Sequence, residues 1–225
     1  MPRITLDRQI HHLQDEILLM GSMVEKALLN AVNTLKKRDI PTAIQLYEDD
    51  SLINDKRFAI ENAIIILLAT QQPFAHDLRI LTAMLEISTE LERMGDYAKG
   101  IAKITINLED AELPIPVQML TKMAELVVSM LHRAISAFIS ENVSQASQIP
   151  LEDDEVDDLF NNIYRKTVNS MIENPSIIDQ VNLIQWAAHN LERTADRVTN
   201  ICERTVFIAT GEMLEIDTSE DSSVE

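Results

Sequence analysis

The sequence predicts an all-α protein of six long antiparallel helices, organised as two tandem three-helix bundles. Three observations carry that expectation. Glycine occurs four times and aromatic residues make up 4% of the chain, too few for strands and their turns, while Leu, Ile, Ala, Met, Glu and Gln abound. Apolar residues recur at alternating spacings of three and four. A six-residue signature also reappears later in the chain, at a matching place in each half.

The breakers set the elements in order. The first segment ends at Asp39-Ile40-Pro41 and the second at Gln72-Pro73. The third ends at Leu113-Pro114-Ile115-Pro116, the fourth at Asn142, and the fifth at Asn174-Pro175, before the sixth. Residues before proline are biased away from helix, which makes these the turns. Each segment is about 30 residues, roughly 45 Å of helix. Pro150 falls where the fifth helix should begin, so a kink or a late start is expected there. In the third segment Met84, Ile87, Leu91, Met94, Ala98, Ile101, Thr105 and Leu108 form one stripe. In the sixth, Ile184, Ala187, Leu191, Thr194, Val198, Ile201, Thr205 and Ile208 form its counterpart. Stripes of this kind bury one face of a long helix against its neighbours.

The repeat is explicit in residues. Leu91-Glu92-Arg93-Met94-Gly95-Asp96 returns as Leu191-Glu192-Arg193-Thr194-Ala195-Asp196, and Ile101 and Thr105 match Ile201 and Thr205. Upstream, Asp50-Ser51-Leu52-Ile53-Asn54 is echoed by Asp153-Asp154-Glu155-Val156-Asp157 at a slightly longer displacement, so one turn differs in length. The expected units are residues 1–112 and 113–216, with the boundary at Leu113 to Pro116. The acidic, serine-rich tail 217–225 has the composition of a disordered segment.

The formal net charge of −18 disfavours nucleic acid as a partner and suits cations or basic protein surfaces. Cys202 is the only cysteine, which rules out an internal disulfide and points to a reducing, cytoplasmic setting. The charged N-terminus lacks a signal-peptide core, and the apolar run Ala63 to Ala69 is far short of the roughly 20 residues of a membrane span.

Glu92 and Asp96 lie four apart and share a helical face, as do Glu192 and Asp196. Two readings stand for these pairs. They are solvated surface carboxylates, with Arg93 and Arg193 placed three residues before Asp96 and Asp196 for simple ion pairs. Or they are halves of cation sites, because like charges at this spacing repel by about 0.2–0.5 kcal/mol and a cation reverses that penalty. Hard cations take about six oxygen ligands, so a neighbouring helix must contribute. The candidates are Asp153 and Asp157 in the second half and Asp50 with Asn54 in the first. Asn200 extends the line of Glu192 and Asp196, whereas the first half has Gly100 there, so the second half offers the richer ligand set. Other chemistries fail. There is no Glu-x-x-His, no Cys-x-x-Cys, no zinc spacing among the five histidines and no glycine-rich phosphate loop. Cys202 and His189 read as packed or boundary residues.

Gln71-Gln72-Pro73 through Asp77-Leu78-Arg79, then the two Leu-Glu-Arg signatures, then Asp196-Arg197-Val198-Thr199-Asn200-Ile201-Cys202-Glu203, resemble the PhoU family nearly end to end, from Leu13 to Thr210. The resemblance implies two three-helix bundles related by an internal pseudo-twofold, commonly found as dimers. It implies a non-enzymatic regulator that restrains phosphate uptake through a phosphate ABC transporter and helps a sensor histidine kinase repress the starvation response. Its partners would be that transporter's ATPase and the kinase. Acidic motifs in some members bind metal clusters. Carried over, these are Glu92 with Asp96, Glu192 with Asp196, and Asp153 with Asp157, and the candidate metals are iron, manganese, zinc or magnesium. Asn54 and Gly100 depart from the pattern in the first half, and the second half has no counterpart of Asp77-Leu78-Arg79. The alternatives are a metal-storage protein without signalling, a metal-dependent phosphatase-like enzyme, and a phosphate-permease accessory protein of similar architecture.

Overall fold

The structure is a computed structural model that describes residues 2–108 and 117–216. The expected boundary at Leu113 to Pro116 and the tail 217–225 lie outside the described residues. Six long helices carry the fold, with no strand among the described residues. In the first half these are α1 (Pro2–Lys37), α2 (Ile40–Gln71) and α3 (Ala75–Leu108). In the second half α4 (Gln118–Ile139) is followed by a single turn, α5 (Val143–Ala146), then by α6 (Asp153–Glu173) and α7 (Ile178–Thr210).

The turns follow from their residues. Asp39 caps α2: its carboxylate accepts from the Thr42 backbone N–H at 3.1 Å and from the Thr42 hydroxyl at 2.7 Å. Pro41 sits in the first turn, where its missing N–H costs nothing. Asn142 and Asn174 cap in the same manner, accepting from Gln145 N–H at 3.1 Å and Ser176 N–H at 3.2 Å. Pro150 delays the fifth long helix as expected. It lies in a 3₁₀ turn, Ile149–Glu152, and α6 starts at Asp153. The equal-length expectation needs correction in the second half. There α4 has 22 residues and α6 has 21, because the stretch between Ser140 and Glu152 is spent on short turns.

Both predicted stripes are buried along their whole length. Within the first half α1, α2 and α3 pack on one another, and within the second α4 and α6 pack on α7. The halves then join through α3 against α7 and α1 against α4. The result is one continuous core rather than two. Ion pairs line the α3–α7 seam, Arg197 to Glu90 at 3.4 Å and Arg204 to Glu86 at 3.0 Å.

Arg79, in the motif without a second-half counterpart, reaches across the joined halves and donates Nε–H to the Ile208 carbonyl at 2.9 Å. A cation there suits the negative C-terminal end of α7. That helix closes on Gly211, whose φ of 78° an L side chain rarely adopts.

The repeat extends to packing detail. On α2, Asp50, Ile53, Ile60 and Ile64 are buried, and on α6 so are Asp153, Val156, Ile163 and Thr167, in the same register. Gly95 lets α2 come close: a Cβ there would meet Ile53 Cδ1 at 3.0 Å. In the second half Ala195 adds that methyl and Val156 removes one. Gly95→Ala gains about 1 kcal/mol of helix propensity against an overpacking cost of about 1–3 kcal/mol. The double variant with Ile53→Val is therefore expected to be more stable than the sum of the two single changes by about 1 kcal/mol. Urea denaturation of the four proteins measures this coupling, and additive effects would show that the two side chains do not share the space.

Candidate metal centre

Each half places carboxylates from two helices on one face, but the two clusters are not alike. In the second half, the α6–α7 packing brings Asp153 and Asp157 to Glu192 and Asp196. Asp153 opens α6 and is buried, with Arg133 of α4 holding the adjacent Glu152 through both ends of its guanidinium. Burial, then the charges of Asp157, Asp196 and Glu192, push the Asp153 carboxyl up to about 7. Glu192, Asp157 and Asp196 are each raised as well, first by partial withdrawal from water, although Asp157 and Asp196 remain exposed; Asp196 adds to the rise of Glu192 and Asp157. His189 Nδ1 lies 3.0 Å from Glu192 Oε2, while the charges of Arg197 and Arg193 temper the rise of Asp196. Asp153 Oδ1 is buried with no hydrogen-bond partner, and so is Thr199 Oγ1. Asn200 continues the line along α7, half-buried.

In the first half, Asp50 of α2 comes to Glu92 and Asp96 of α3. Here the buried carboxylate has partners. Lys99 Nζ binds Asp50 Oδ2 at 2.8 Å, and Asn54 donates to the same oxygen at 3.2 Å. Arg57 lowers both Glu92 and Asp96 against the rise that burial imposes.

Neither signature arginine forms the expected pair with its own aspartate. Arg93 binds Glu90 at 3.0 Å, and the Arg193 guanidinium stacks 5.0 Å from the Tyr97 ring centre across the seam.

The structure thus brings together Glu192, Asp196, Asp153 and Asp157, and separately Glu92, Asp96 and Asp50. It also reveals two participants the sequence reading passed over, Lys99 and Arg57, and sets His189, read there as a packed or boundary residue, against Glu192. Reading cations as well as acids across the aligned halves would have found the first two. Among the described residues, no three His, Cys, Asp or Glu side chains stand close enough to hold one ion as they are placed. Carboxylates with no cation between them hold apart. The orphaned Asp153 oxygen, in a site of oxygen donors alone, nonetheless fits a hard cation. Cys202 is fully buried, and burial pushes its thiol up to about 12, which suits a packed core residue.

Fold and clusters define a tandem-repeat helical protein with an acidic face in each half. The sequence model described as "PhoU domain" matches twice, over residues 17–105 and 120–205. The chain is 34% identical over 218 residues to a phosphate-specific transport system accessory protein PhoU homolog of Clostridium acetobutylicum, covering 96% of this chain and 100% of that one. It is 31% identical to the homolog of Streptococcus pneumoniae, covering 96% and 100%. The crystal structure of PhoU from Streptococcus pneumoniae superposes with a TM-score of 0.86 over 93% of this chain. That of PhoU from Pseudomonas aeruginosa does so with 0.86 over 92%. The chain belongs to the PhoU family.

Proposed function

We propose that this protein is a non-enzymatic regulator of phosphate uptake. In this reading it is an adaptor between a phosphate ABC transporter ATPase and a phosphate-sensing histidine kinase, on the cytoplasmic side of the membrane. The observation that carries the reading is the match to phosphate-transport accessory proteins over nearly the whole of both chains. The surface supports an adaptor. The outer face of α2 exposes Ile44, Tyr47, Phe58, Ile65 and Ile66, apolar residues on a helix that a partner helix can cover. No described helix is long and apolar enough to cross a membrane, so attachment would be by docking.

The second-half cluster would hold the metal, through Asp153, Asp157, Glu192 and Asp196, with Asn200 and His189 at its margin. A bound cation supplies positive charge that cancels the repulsion among the carboxylates and draws them together. The chain's own residues do the rest: Arg133 fixes the start of α6, and the α6–α7 packing sets the distance between the acid pairs.

Two measurements test this. Pulldown from cells expressing the transporter ATPase is expected to capture it, and Phe58→Glu with Ile65→Glu to lose it. Capture of neither the ATPase nor the kinase would defeat the adaptor reading and leave metal storage in its place. Elemental analysis of the purified chain is expected to find iron, manganese, zinc or magnesium that disappears in Asp153→Asn/Asp196→Asn. Metal content indifferent to that change would remove the cluster from the account. Hydrolysis of a generic phosphoester that vanished with Glu192→Ala would instead make the protein an enzyme.

A further inference from the structure

Superposing the halves by their repeat register shows where they have parted. Asp50 corresponds to Asp153 on the second helix of each half, and Arg57, seven residues on, corresponds to Phe160. On the third helix, Lys99 corresponds to Thr199. The first half therefore mounts two cations at places where the second half has a phenyl ring and a hydroxyl. The consequence is visible in the hydrogen bonding. Asp50 and Lys99 pair at 2.8 Å, whereas their counterparts Asp153 and Thr199 each keep a buried oxygen without a partner. Phe160, in the place of Arg57, lies against the His189 ring with centroids 6.2 Å apart. The same packing thus seats a cation on the buried aspartate of one cluster and leaves the buried aspartate of the other without one, the second cluster's His189, Arg193 and Arg197 acting on Glu192 and Asp196 instead.

We propose that Lys99 and Arg57 are resident cations that close the first-half cluster to metal, so that metal binding is confined to the second half. This rests on the metal reading of the second-half cluster given above. The physical reason is competition for the same oxygens. Lys99 donates to Asp50 Oδ2 with a bond of charge-assisted length. Its ammonium also stands 5.2 Å from the Tyr47 ring centre, a second contact that holds it in place. Arg57 is half-buried, braced by Glu61 at 3.6 Å and by the Phe58 ring at 4.7 Å from its guanidinium carbon. A divalent ion entering the first half would have to displace one tethered cation and stand beside another. In the second half it meets four acids whose nearest fixed charges, Arg193 and Arg197, are engaged with Tyr97 and Glu90 across the seam. The two halves would then keep the same shape by different means, one with side chains alone and one with an exchangeable ion.

The test is a Mn(II) titration of the full chain, read as ions bound per chain by electron paramagnetic resonance. Wild type and Glu92→Gln/Asp96→Asn are expected to bind the same number of ions, and Asp153→Asn/Asp196→Asn to bind none. Arg57→Phe/Lys99→Thr is expected to raise the wild-type number, by up to about twofold, because it frees Asp50, Glu92 and Asp96 of both cations while Asn54 stays where the second half has Asp157. The reciprocal Phe160→Arg/Thr199→Lys is expected to abolish binding, and it decides the matter should the first exchange fail to fold. Loss of ions in Glu92→Gln/Asp96→Asn, or no gain in a folded Arg57→Phe/Lys99→Thr, overturns the proposal. Wild type that binds no Mn(II) defeats the second-half reading. The resident-cation claim then still stands or falls on whether Arg57→Phe/Lys99→Thr acquires a site.

Discussion

With a chelator present, the protein is expected to lose stability as the pH rises from about 4 to about 7, and replacing Asp153 by asparagine is expected to reduce that loss. The sign follows from Asp153. Its ordinary value is 3.8, and burial among Asp157, Asp196 and Glu192 pushes it up to about 7 in the folded protein. A carboxyl raised on folding favours the native state while it is protonated, so its contribution is complete below the unfolded value. That contribution drains away as the pH climbs through the folded one. At 1.36 kcal/mol for each unit, the rise from 3.8 to about 7 corresponds to at most about 4 kcal/mol, of which the span from pH 5 to pH 8 samples about 2–3 kcal/mol. Urea unfolding of the chelated protein at pH 5 and pH 8 measures it. Equal stability at the two values, or an equal pH response in Asp153→Asn, would contradict the placement of this carboxyl. Mn(II) at one hundred times its dissociation constant should return about 2.7 kcal/mol at pH 8.

The second large effect concerns the shared core. Leu91→Ala and Leu191→Ala each remove a fully buried side chain from matching places in the two stripes. Each is expected to cost about 2–5 kcal/mol, the transfer energy of the lost atoms plus the cavity they leave. Because the core runs without interruption through both halves, either change should lower the midpoint of a single transition and leave its steepness unaltered. Two separate transitions, with only the mutated half unfolding early, would mean that the bundles are independent.

The helices were legible because burial imposes its period on the residues that pay for it. Met84 to Leu108 and Ile184 to Ile208 could be read without any knowledge of their partners. The turns were legible wherever chemistry forces them, at Asp39-Ile40-Pro41, at Asn142 and at Pro150. The acid pairs were legible because they recur. What stayed hidden depends on pairs distant in sequence. Arg79 is 129 residues from the carbonyl it caps, and no local signal marks that contact. Arg193 finds Tyr97 only once α3 lies on α7. Lys99 and Arg57 look like ordinary surface cations until α2 and α3 are packed, and only then does one of them fall on a buried aspartate. The reading of the first half as the poorer site rested on Asn54 and Gly100. In the structure an ammonium, that of Lys99, is seated on Asp50 there.

The α3–α7 and α1–α4 contacts bury a face of each half against the other. Severing the chain between residues 109 and 116 would leave each fragment with two long greasy flanks facing water, and the fragments would be expected to reassociate or precipitate rather than persist alone. The two halves thus share one hydrophobic interior while differing in the groups set around their acids, Lys99 in one and Thr199 in the other.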